Sequence, residues 1–273
     1  MRVRLEGNHS ASHCGCAAVW KSINSVARRN GLHVVNARAD FDALIVNGEG
    51  SMHHSRKNFR SKMKTLADAL NSEKRAYLVK SVWQENNSEY DDVLRNLSGI
   101  WVREVDSQRD LLERHGIASV VSIDLSFFYR ERPWVGFTNF SGEPVMTDFY
   151  SHEFENFAVP KVAAVRGMKR ALMKGRSWGS LVASLKTAAF LATGRHHAVY
   201  AACQARIPFA AVEGNTYKIS GLIKSAGLNI PVARSLAELP EVMASIDTHR
   251  PEYEKLFDWM EAQNACHSLP TAA

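Results

Sequence analysis

Short apolar runs alternate with amphipathic stretches through the first half of the chain. The apolar runs, which have the length of buried strands, are 3–5, 43–46, 75–82, 100–103 and 118–123. The stretches with helical periodicity between them are 17–30, 57–71, 90–97 and 107–115, and Gly31 and Gly116 follow the first and the last. Continuous apolar strands separated by helices are typical of a parallel sheet with helices on both faces. Residues 1–130 are therefore predicted to form an α/β domain.

The same alternation returns in the second half after an interruption. Residues 129–133 carry alternating charge and a proline, and we interpret them as a linker. Residues 138–157 show no assignable pattern. Beyond them lie an apolar run at 162–165, a Leu- and Ala-rich run at 182–190 that leads into a turn, a helix at 198–205, a strand at 209–212, and helices at 216–226, 235–246 and 252–262. The prediction is two Rossmann-like domains facing a cleft, residues 1–130 and 134–273.

The net charge of the chain indicates a class of binding partner but does not identify one. The 273 residues carry a formal charge of +6, which favours an acidic partner such as a phosphorylated substrate or an anionic membrane surface. The cations gather at turns instead of forming a basic stripe with interleaved aromatics, so nucleic acid is not expected. The charged start of the chain does not resemble a signal peptide. We expect a cytoplasmic protein, with peripheral contact at the inner face of the membrane left open.

Several cofactors and metals are not expected from the motifs. The loop at 8–15, which includes His13, has the position of a dinucleotide fingerprint but lacks the glycine pattern. Cys14 and Cys16 have the wrong spacing for a zinc knuckle or a thioredoxin-type pair, and no second pair completes a metal site. No cofactor and no metal are therefore predicted.

The most informative chemistry lies at two consecutive strand-to-helix turns of the second half. The first turn contains Arg195, His196 and His197. A guanidinium suits carboxylate or phosphate, and a histidine can exchange a proton near neutral pH. Ligands of open α/β sheets bind at such turns, and helix N-termini favour anions. We predict an anion site with His197 beside Arg195 and His196 pointing elsewhere; the alternative is a basic surface turn.

The second turn follows the strand at 209–212. Asn215 or Thr216 is suited to be the helix N-cap, and Lys218 lies in the first helical turn. A cation is unfavourable there unless an anion is close, so Lys218 favours ligand binding. An ion pair with Glu213 is the alternative explanation.

The first half supplies further polar groups where its predicted strands end. Gly48 and Gly50 flank Glu49 and allow a ligand close to the backbone, and His53 and His54 follow. The alternative is a glycine turn with incidental histidines. Arg103 and Asp124 end two other strands and are expected at the same sheet edge. Asp106 or Ser107 is expected to cap the helix after Arg103.

These residues, taken together, resemble the polysaccharide pyruvyl transferase family. The matching pieces occur in the family's order: 42–54, Val102-Arg103-Glu104 with Ser107, Asp124-Leu125-Ser126-Phe127, Gly194 to Ala198, and Asn215-Thr216-Tyr217-Lys218. The resemblance implies the GT-B architecture and transfer of the enolpyruvyl group of phosphoenolpyruvate onto hydroxyls of a glycan or lipid-linked sugar, as a ketal with release of phosphate. Phosphoenolpyruvate is then a donor substrate and not a cofactor.

The resemblance also implies roles for the candidate residues. Arg195 and His197 would contact phosphoenolpyruvate, with His197 as general acid and Glu49 or Asp124 as base. The donor side would comprise Arg195, Arg103, Lys218, Asn215 and His196, and the acceptor side Gly48, Gly50, His53, His54 and His13. Two alternatives remain: a GT-B-type glycosyltransferase that uses a nucleotide-activated sugar, and a non-catalytic glycan-binding protein of the same fold.

Overall fold

The computed structural model describes residues 1–7, 13–149 and 163–272, which form two compact units. Unit 1 contains residues 1–7, 21–125 and 264–272, and unit 2 contains residues 13–20, 126–149 and 163–263. The predicted division into two continuous domains therefore differs from these units in two segments, one near each end of the chain. Residues 8–12 of the loop at 8–15, the whole segment 150–162 and residue 273 lie outside the described residues.

Hydrogen bonds explain why the segment near each end of the chain belongs to a different unit from the one predicted. Near the C-terminus, Asn30 Nδ2 donates to the carbonyl oxygens of Cys266, Leu269 and Pro270 at 2.9, 3.1 and 3.1 Å, which fastens this segment to unit 1. Near the N-terminus, the Cys14 amide donates to the Met173 carbonyl at 3.2 Å, within unit 2. Both anchors join residues far apart in sequence, and local periodicity does not reveal them.

Unit 1 is built on a six-stranded parallel sheet. In chain order the strands are β1 (Arg2–Glu6), β2 (His33–Val35), β3 (Ala43–Glu49), β4 (Arg75–Ser81), β5 (Gly99–Val102) and β6 (Val120–Val121). Their order across the sheet is β2-β1-β3-β4-β5-β6. Every residue of β3 from Ala43 to Gly48 is buried, because helices cover both faces of a parallel sheet. Strand β2 is an element that the sequence analysis did not assign.

The helices of the first half are α1 (Cys14–Arg29), α2 (Lys57–Asn71), α3 (Asp91–Asn96) and α4 (Val105–His115). Helix α2 packs Phe59, Met63 and Leu66 into the core of unit 1. Gly116 ends α4 with a φ of 66°, a left-handed conformation that glycine adopts at little cost. The N-cap of α4 is Glu104, not Asp106 or Ser107 as predicted, because the Glu104 carboxylate accepts the Ser107 amide at 2.9 Å.

Unit 2 contains a four-stranded parallel sheet. Its strands are β7 (Val145–Phe149), β8 (Lys169–Arg170), β9 (Leu191–Gly194) and β10 (Phe209–Ala211), in the order β10-β9-β7-β8. Its helices are α5 (Trp178–Leu185), α6 (His196–Ala205), α7 (Lys218–Ser225), α8 (Leu239–Ala244) and α9 (Arg250–Glu261). Both sheets are parallel and alternate with helices, which confirms the predicted α/β class with two Rossmann-like domains.

Two apolar runs of unit 2 do not form the strands that the alternation implied. The run at 182–190 does not form the strand before the first turn; its start belongs to α5, and β9 follows it. Ser177 begins α5 by accepting the Ser180 amide at 3.1 Å, and this cap favours a helix in a stretch whose apolar residues also suit a strand. The second is the run at 162–165, where residues 163–165 form a 3-10 turn.

No helix among the residues that the structure describes is both long enough and apolar enough to span a lipid bilayer.

Candidate functional site

The turn between β9 and α6 places Arg195 at the N-terminus of a ten-residue helix. Arg195 is the N-cap, 7% exposed, and its amide donates to Thr193 Oγ1 at 3.0 Å. Its guanidinium donates through Nε to Asp148 Oδ2 at 2.9 Å and through a second nitrogen to the same oxygen. Asp148 lies on β7, so two neighbouring strands hold this arginine in place.

The electrostatics of this turn favour an anion. The first turn of α6 contains no acidic residue, and no side-chain cap hydrogen bond is formed by its N-cap. The positive end of the helix dipole and the guanidinium therefore act in the same direction. Asp148 compensates part of the charge and fixes the position of Arg195. Burial lowers the pKa of the Arg195 guanidinium, which nevertheless stays charged beside Asp148.

The two histidines of the turn contact different neighbours. The His196 ring packs against Tyr200, one helical turn later, at 4.8 Å between centroids. The His197 ring lies 5.8 Å from the ring of His13. Burial, with nearby His197 and Arg195, lowers the pKa of His13 to about 3, so this imidazole is neutral at physiological pH. Unit 2 thus brings His13 to the turn that contains Arg195.

The second predicted turn, before α7, differs from the first because it contains a carboxylate of its own. Glu213 accepts the amides of Ile219 and Ser220, at 3.2 and 2.8 Å, and so stabilises the N-terminus of α7 with its own carboxylate. The N-cap is Tyr217, not Asn215 or Thr216 as predicted. Lys218 Nζ donates to Asn215 Oδ1 at 3.0 Å. This helix terminus already contains an anion, which leaves the α6 turn as the stronger site for an external one.

In unit 1, Glu49 ends strand β3 in a left-handed conformation, with φ at 49°. Asn47 Nδ2 donates to Glu49 Oε1 at 3.0 Å. Lys62 reaches back from α2 and donates to the carbonyl oxygens of Asn47 and Gly48 at 2.8 and 2.7 Å. Burial lowers the pKa of Lys62 to about 8, against the opposing effect of Glu49. A Cβ at Gly48 would lie 1.9 Å from Ser81 Oγ, so this position requires glycine.

The turn after β3 continues with Gly50 and two histidines. Gly50 is half-buried within it. His53 is buried and its Nδ1 lies 2.7 Å from Nδ1 of His54, while His54 Nε2 lies 3.3 Å from Glu85. These rings join two loops of unit 1, which follow β3 and β4. Their acceptor-side role stays a prediction.

Arg103 and Asp124 form a buried ion pair at the same sheet edge of unit 1. Their side chains are 2% and 0% exposed, and Arg103 approaches Asp124 Oδ2 at 3.1 Å. Lys80, also fully buried, donates to the Ile123 carbonyl and has φ at 57°. Asp124 therefore lies beside the Arg103 guanidinium and the Lys80 amine and away from solvent, an arrangement that suits a structural anion better than a general base. Glu49 is only half-buried, so it is more accessible to a ligand than Asp124 and is the better candidate for a general base.

We expect Lys80→Met to remove a pH dependence of stability. Burial lowers the pKa of Lys80 to about 7 from an ordinary 10.5. Between these values the unfolded chain binds a proton that the folded chain lacks, so the lysine makes the free energy of unfolding rise with pH. Its unfavourable effect is complete below the lower value and disappears as pH approaches the upper one.

Urea unfolding of wild type and Lys80→Met from about pH 7 to about pH 9 measures this effect, because each titrating proton contributes up to about 1.4 kcal/mol per pH unit. Relative to the variant, the free energy of unfolding of wild type should rise by about 1 kcal/mol per pH unit. Lys64→Met is the control, because Lys64 is exposed. The free energy of unfolding of this variant should change with pH as it does in wild type. A constant difference between wild type and Lys80→Met would contradict a neutral Lys80.

Sequence reasoning missed the residues that hold the candidates in place. Asp148 lies in the stretch without an assignable pattern, and nothing in its neighbourhood marks it as the counter-ion of Arg195. Lys80 was inside a predicted strand, and a lysine within a buried apolar run is a signal that could have revealed it. The sequence analysis expects Glu49 and Arg195 at one cleft. These residues belong to different units, so this expectation stays a prediction.

No protein-family model matches the chain, and no curated protein matches it in sequence. Solved structures do match. MnaA of S. aureus, in a co-structure with UDP, has a TM-score of 0.59 at 9% identity over 97% of this chain and 91% of that chain. The UDP-GlcNAc 2-epimerase from Neisseria meningitidis bound to UDP-GlcNAc has a TM-score of 0.57 at 8% identity over 94% of each chain.

An uncharacterized protein from Klebsiella pneumoniae subsp. pneumoniae has a TM-score of 0.55 at 13% identity, over 84% of this chain and 89% of that chain. At such identities the likeness concerns architecture and not chemistry. It shows that the chain has the GT-B-like fold, with two Rossmann-like domains.

Proposed function

We propose that the chain is an enzyme that acts on a nucleotide-activated sugar, whose phosphate binds at the N-terminus of α6. The observation that carries this proposal is the buried guanidinium of Arg195, placed as N-cap of a helix without acidic residues in its first turn. A phosphate there would accept hydrogen bonds from the guanidinium and lie at the positive end of the helix dipole.

Preorganisation supports this site. Asp148 holds Arg195 from β7, so little side-chain entropy is lost when an anion binds. His197 lies in the first turn of the same helix and can contact the same ligand. Near pH 7 a histidine can act in either direction: its neutral form accepts the proton of an attacking hydroxyl, and its protonated form donates one to a leaving oxygen.

The fold is consistent with this chemistry. Among the structures that share it, MnaA was solved with UDP and the Neisseria meningitidis epimerase with UDP-GlcNAc. The ligands belong to those proteins, and the sequence identity is too low to transfer residues. They nevertheless make a nucleoside diphosphate sugar the first ligand to test.

Pyruvyl transfer is the second candidate. It is favoured by the order of the sequence pieces, above all the Arg195-x-His197 pattern. Phosphoenolpyruvate carries both a phosphate and a carboxylate, and Arg195 would suit either group. The same turn therefore serves both proposals, and the donor distinguishes them.

A thermal-shift comparison of UDP, UDP-GlcNAc, other nucleoside diphosphates and phosphoenolpyruvate tests the proposal. At a concentration about 100 times its Kd, a ligand stabilises the fold by about 2.7 kcal/mol, which is about 5 °C or more for a chain of this size. We expect this shift with a nucleoside diphosphate or its sugar. A shift with phosphoenolpyruvate alone would favour pyruvyl transfer, and stabilisation by glycans alone would favour a non-catalytic glycan-binding protein.

A further inference from the structure

Three side chains with metal-ligating atoms meet in unit 2 where the start of α1 approaches α6. Their ligand atoms, from His13, Cys16 and His197, all lie within 4.8 Å of one another. The close approach depends on Gly15, since a Cβ at this position would lie 2.6 Å from His197 Cβ. Nothing in the spacing of His13 and Cys16 along the chain indicates that His197, about 180 residues later, completes the set.

His13 provides an independent indication that the cluster binds a ligand. The residue is 6% exposed, and its Nε2 has no hydrogen-bond partner among the described residues. Its other ring nitrogen, Nδ1, has only a long contact with the Cys16 amide, at 3.4 Å. Leaving a buried polar nitrogen unsatisfied is unfavourable, so native proteins rarely retain such an atom without a use.

We propose that His13, Cys16 and His197 form a binding site for Zn²⁺ or a similar borderline divalent cation. Imidazole and thiolate are the preferred ligands of zinc, and three protein ligands leave a fourth position for water or a substrate oxygen. In tetrahedral zinc sites the ligand atoms lie roughly 3.3–3.8 Å from one another. Small side-chain rotations that move each ligand atom by about 1 Å would therefore bring these three atoms to the distances that zinc requires. The inference concerns metal binding and is tested without a nucleotide, and it gives His197 the role of a metal ligand in place of the proton transfer proposed above.

The proton balance and the charge of the site agree with this assignment. Binding removes the thiol proton of Cys16 to solvent and forms a metal–sulfur bond. Ligation through His13 Nε2 places the ring hydrogen on Nδ1, so the long contact with the Cys16 amide is exchanged for a bond to the metal. Arg195, the neighbouring buried cation, is already ion-paired with Asp148, which reduces its repulsion of a metal.

Titration of the chelator-treated protein with Co²⁺, a spectroscopic substitute for zinc, tests the site. We expect the near-ultraviolet charge-transfer band of a cobalt–thiolate bond together with the strong visible bands of tetrahedral cobalt, and their loss on adding Zn²⁺. Cys16→Ser should abolish the charge-transfer band. His13→Ala and His197→Ala should each weaken Co²⁺ binding at least about tenfold.

Cys266→Ser is the matched control, because Cys266 is also a free, partly exposed cysteine but lies outside the cluster. This variant should keep the full spectrum. Metal-free Cys16→Ser should unfold at the wild-type temperature, which separates loss of a ligand from loss of the fold. Absence of a charge-transfer band in wild type, or its loss in Cys266→Ser instead of Cys16→Ser, would overturn the assignment.

Discussion

Asp124→Ala is expected to lower the free energy of unfolding by about 3–5 kcal/mol, the usual cost of breaking a buried ion pair from one side. The side chains of Arg103 and Asp124 are 2% and 0% exposed. Removing the carboxylate leaves the guanidinium in a low-dielectric interior beside Lys80, which is fully buried too. A buried guanidinium without a counter-ion is strongly unfavourable by itself, whether or not Lys80 carries a proton.

Urea unfolding monitored by circular dichroism measures this change, and an exposed ion pair supplies the control. Arg95 and Asp92 also form an ion pair, at 2.9 Å, but Asp92 is 98% exposed. Asp92→Ala should therefore change the free energy of unfolding by less than about 1 kcal/mol. If the two variants lost similar stability, the buried cluster would not have the structural role assigned to it. Asp124→Asn, which keeps the shape and one acceptor oxygen, should fall between them.

Arg195→Ala is expected to weaken binding of a nucleoside diphosphate by about 10- to 150-fold, because a charge-assisted hydrogen bond contributes about 1.5–3 kcal/mol. The variant also leaves Asp148 without its ion-pair partner next to the site, which adds electrostatic repulsion to the lost contact. Arg195→Lys keeps the charge but not the planar fork, so we expect an intermediate affinity.

Asp148→Asn separates the two effects of Arg195→Ala. The amide oxygen can still accept a hydrogen bond from Arg195, while the negative charge beside the bound phosphate is removed. We therefore expect this variant to bind the nucleotide at least as tightly as wild type, with a stronger dependence on salt because the positive charge of Arg195 is no longer compensated. Binding as poor as that of Arg195→Ala would mean that the charge of Asp148 is needed to hold Arg195 in place.

Much of the fold could be predicted because the signals are local. Helix α2 was predicted with its observed bounds, from apolar periodicity alone. Gly31 and Gly116 have positive φ of 73° and 66°, as expected for residues that end helices. Strand β2 was missed because it has only three residues, none of them fully buried, and so lacks the apolar signal of a central strand.

The candidate site was predicted only in part, since its residues are distributed over the chain. Arg195 and His197 could be selected because a motif and a helix start coincide there. Asp148 contacts Arg195 across 47 positions, and only the pairing of β7 with β9 brings them together. His13 was selected by position, but its approach to His197 depends on α1 beginning three residues earlier than its periodicity indicates. Tertiary contacts of this kind leave no local trace.

The central claim is that the N-terminus of α6 binds the phosphate of a nucleotide-activated sugar through Arg195. Isothermal titration of UDP-GlcNAc and UDP into wild type, Arg195→Ala and Arg206→Ala tests it most directly. Arg206 is the control because it lies at the other end of α6 and pairs with Glu254, Asp258 and Glu261. We predict binding by wild type and Arg206→Ala and a loss of about tenfold or more in Arg195→Ala. Equal affinity in all three proteins, or binding of neither ligand by wild type, would contradict the claim.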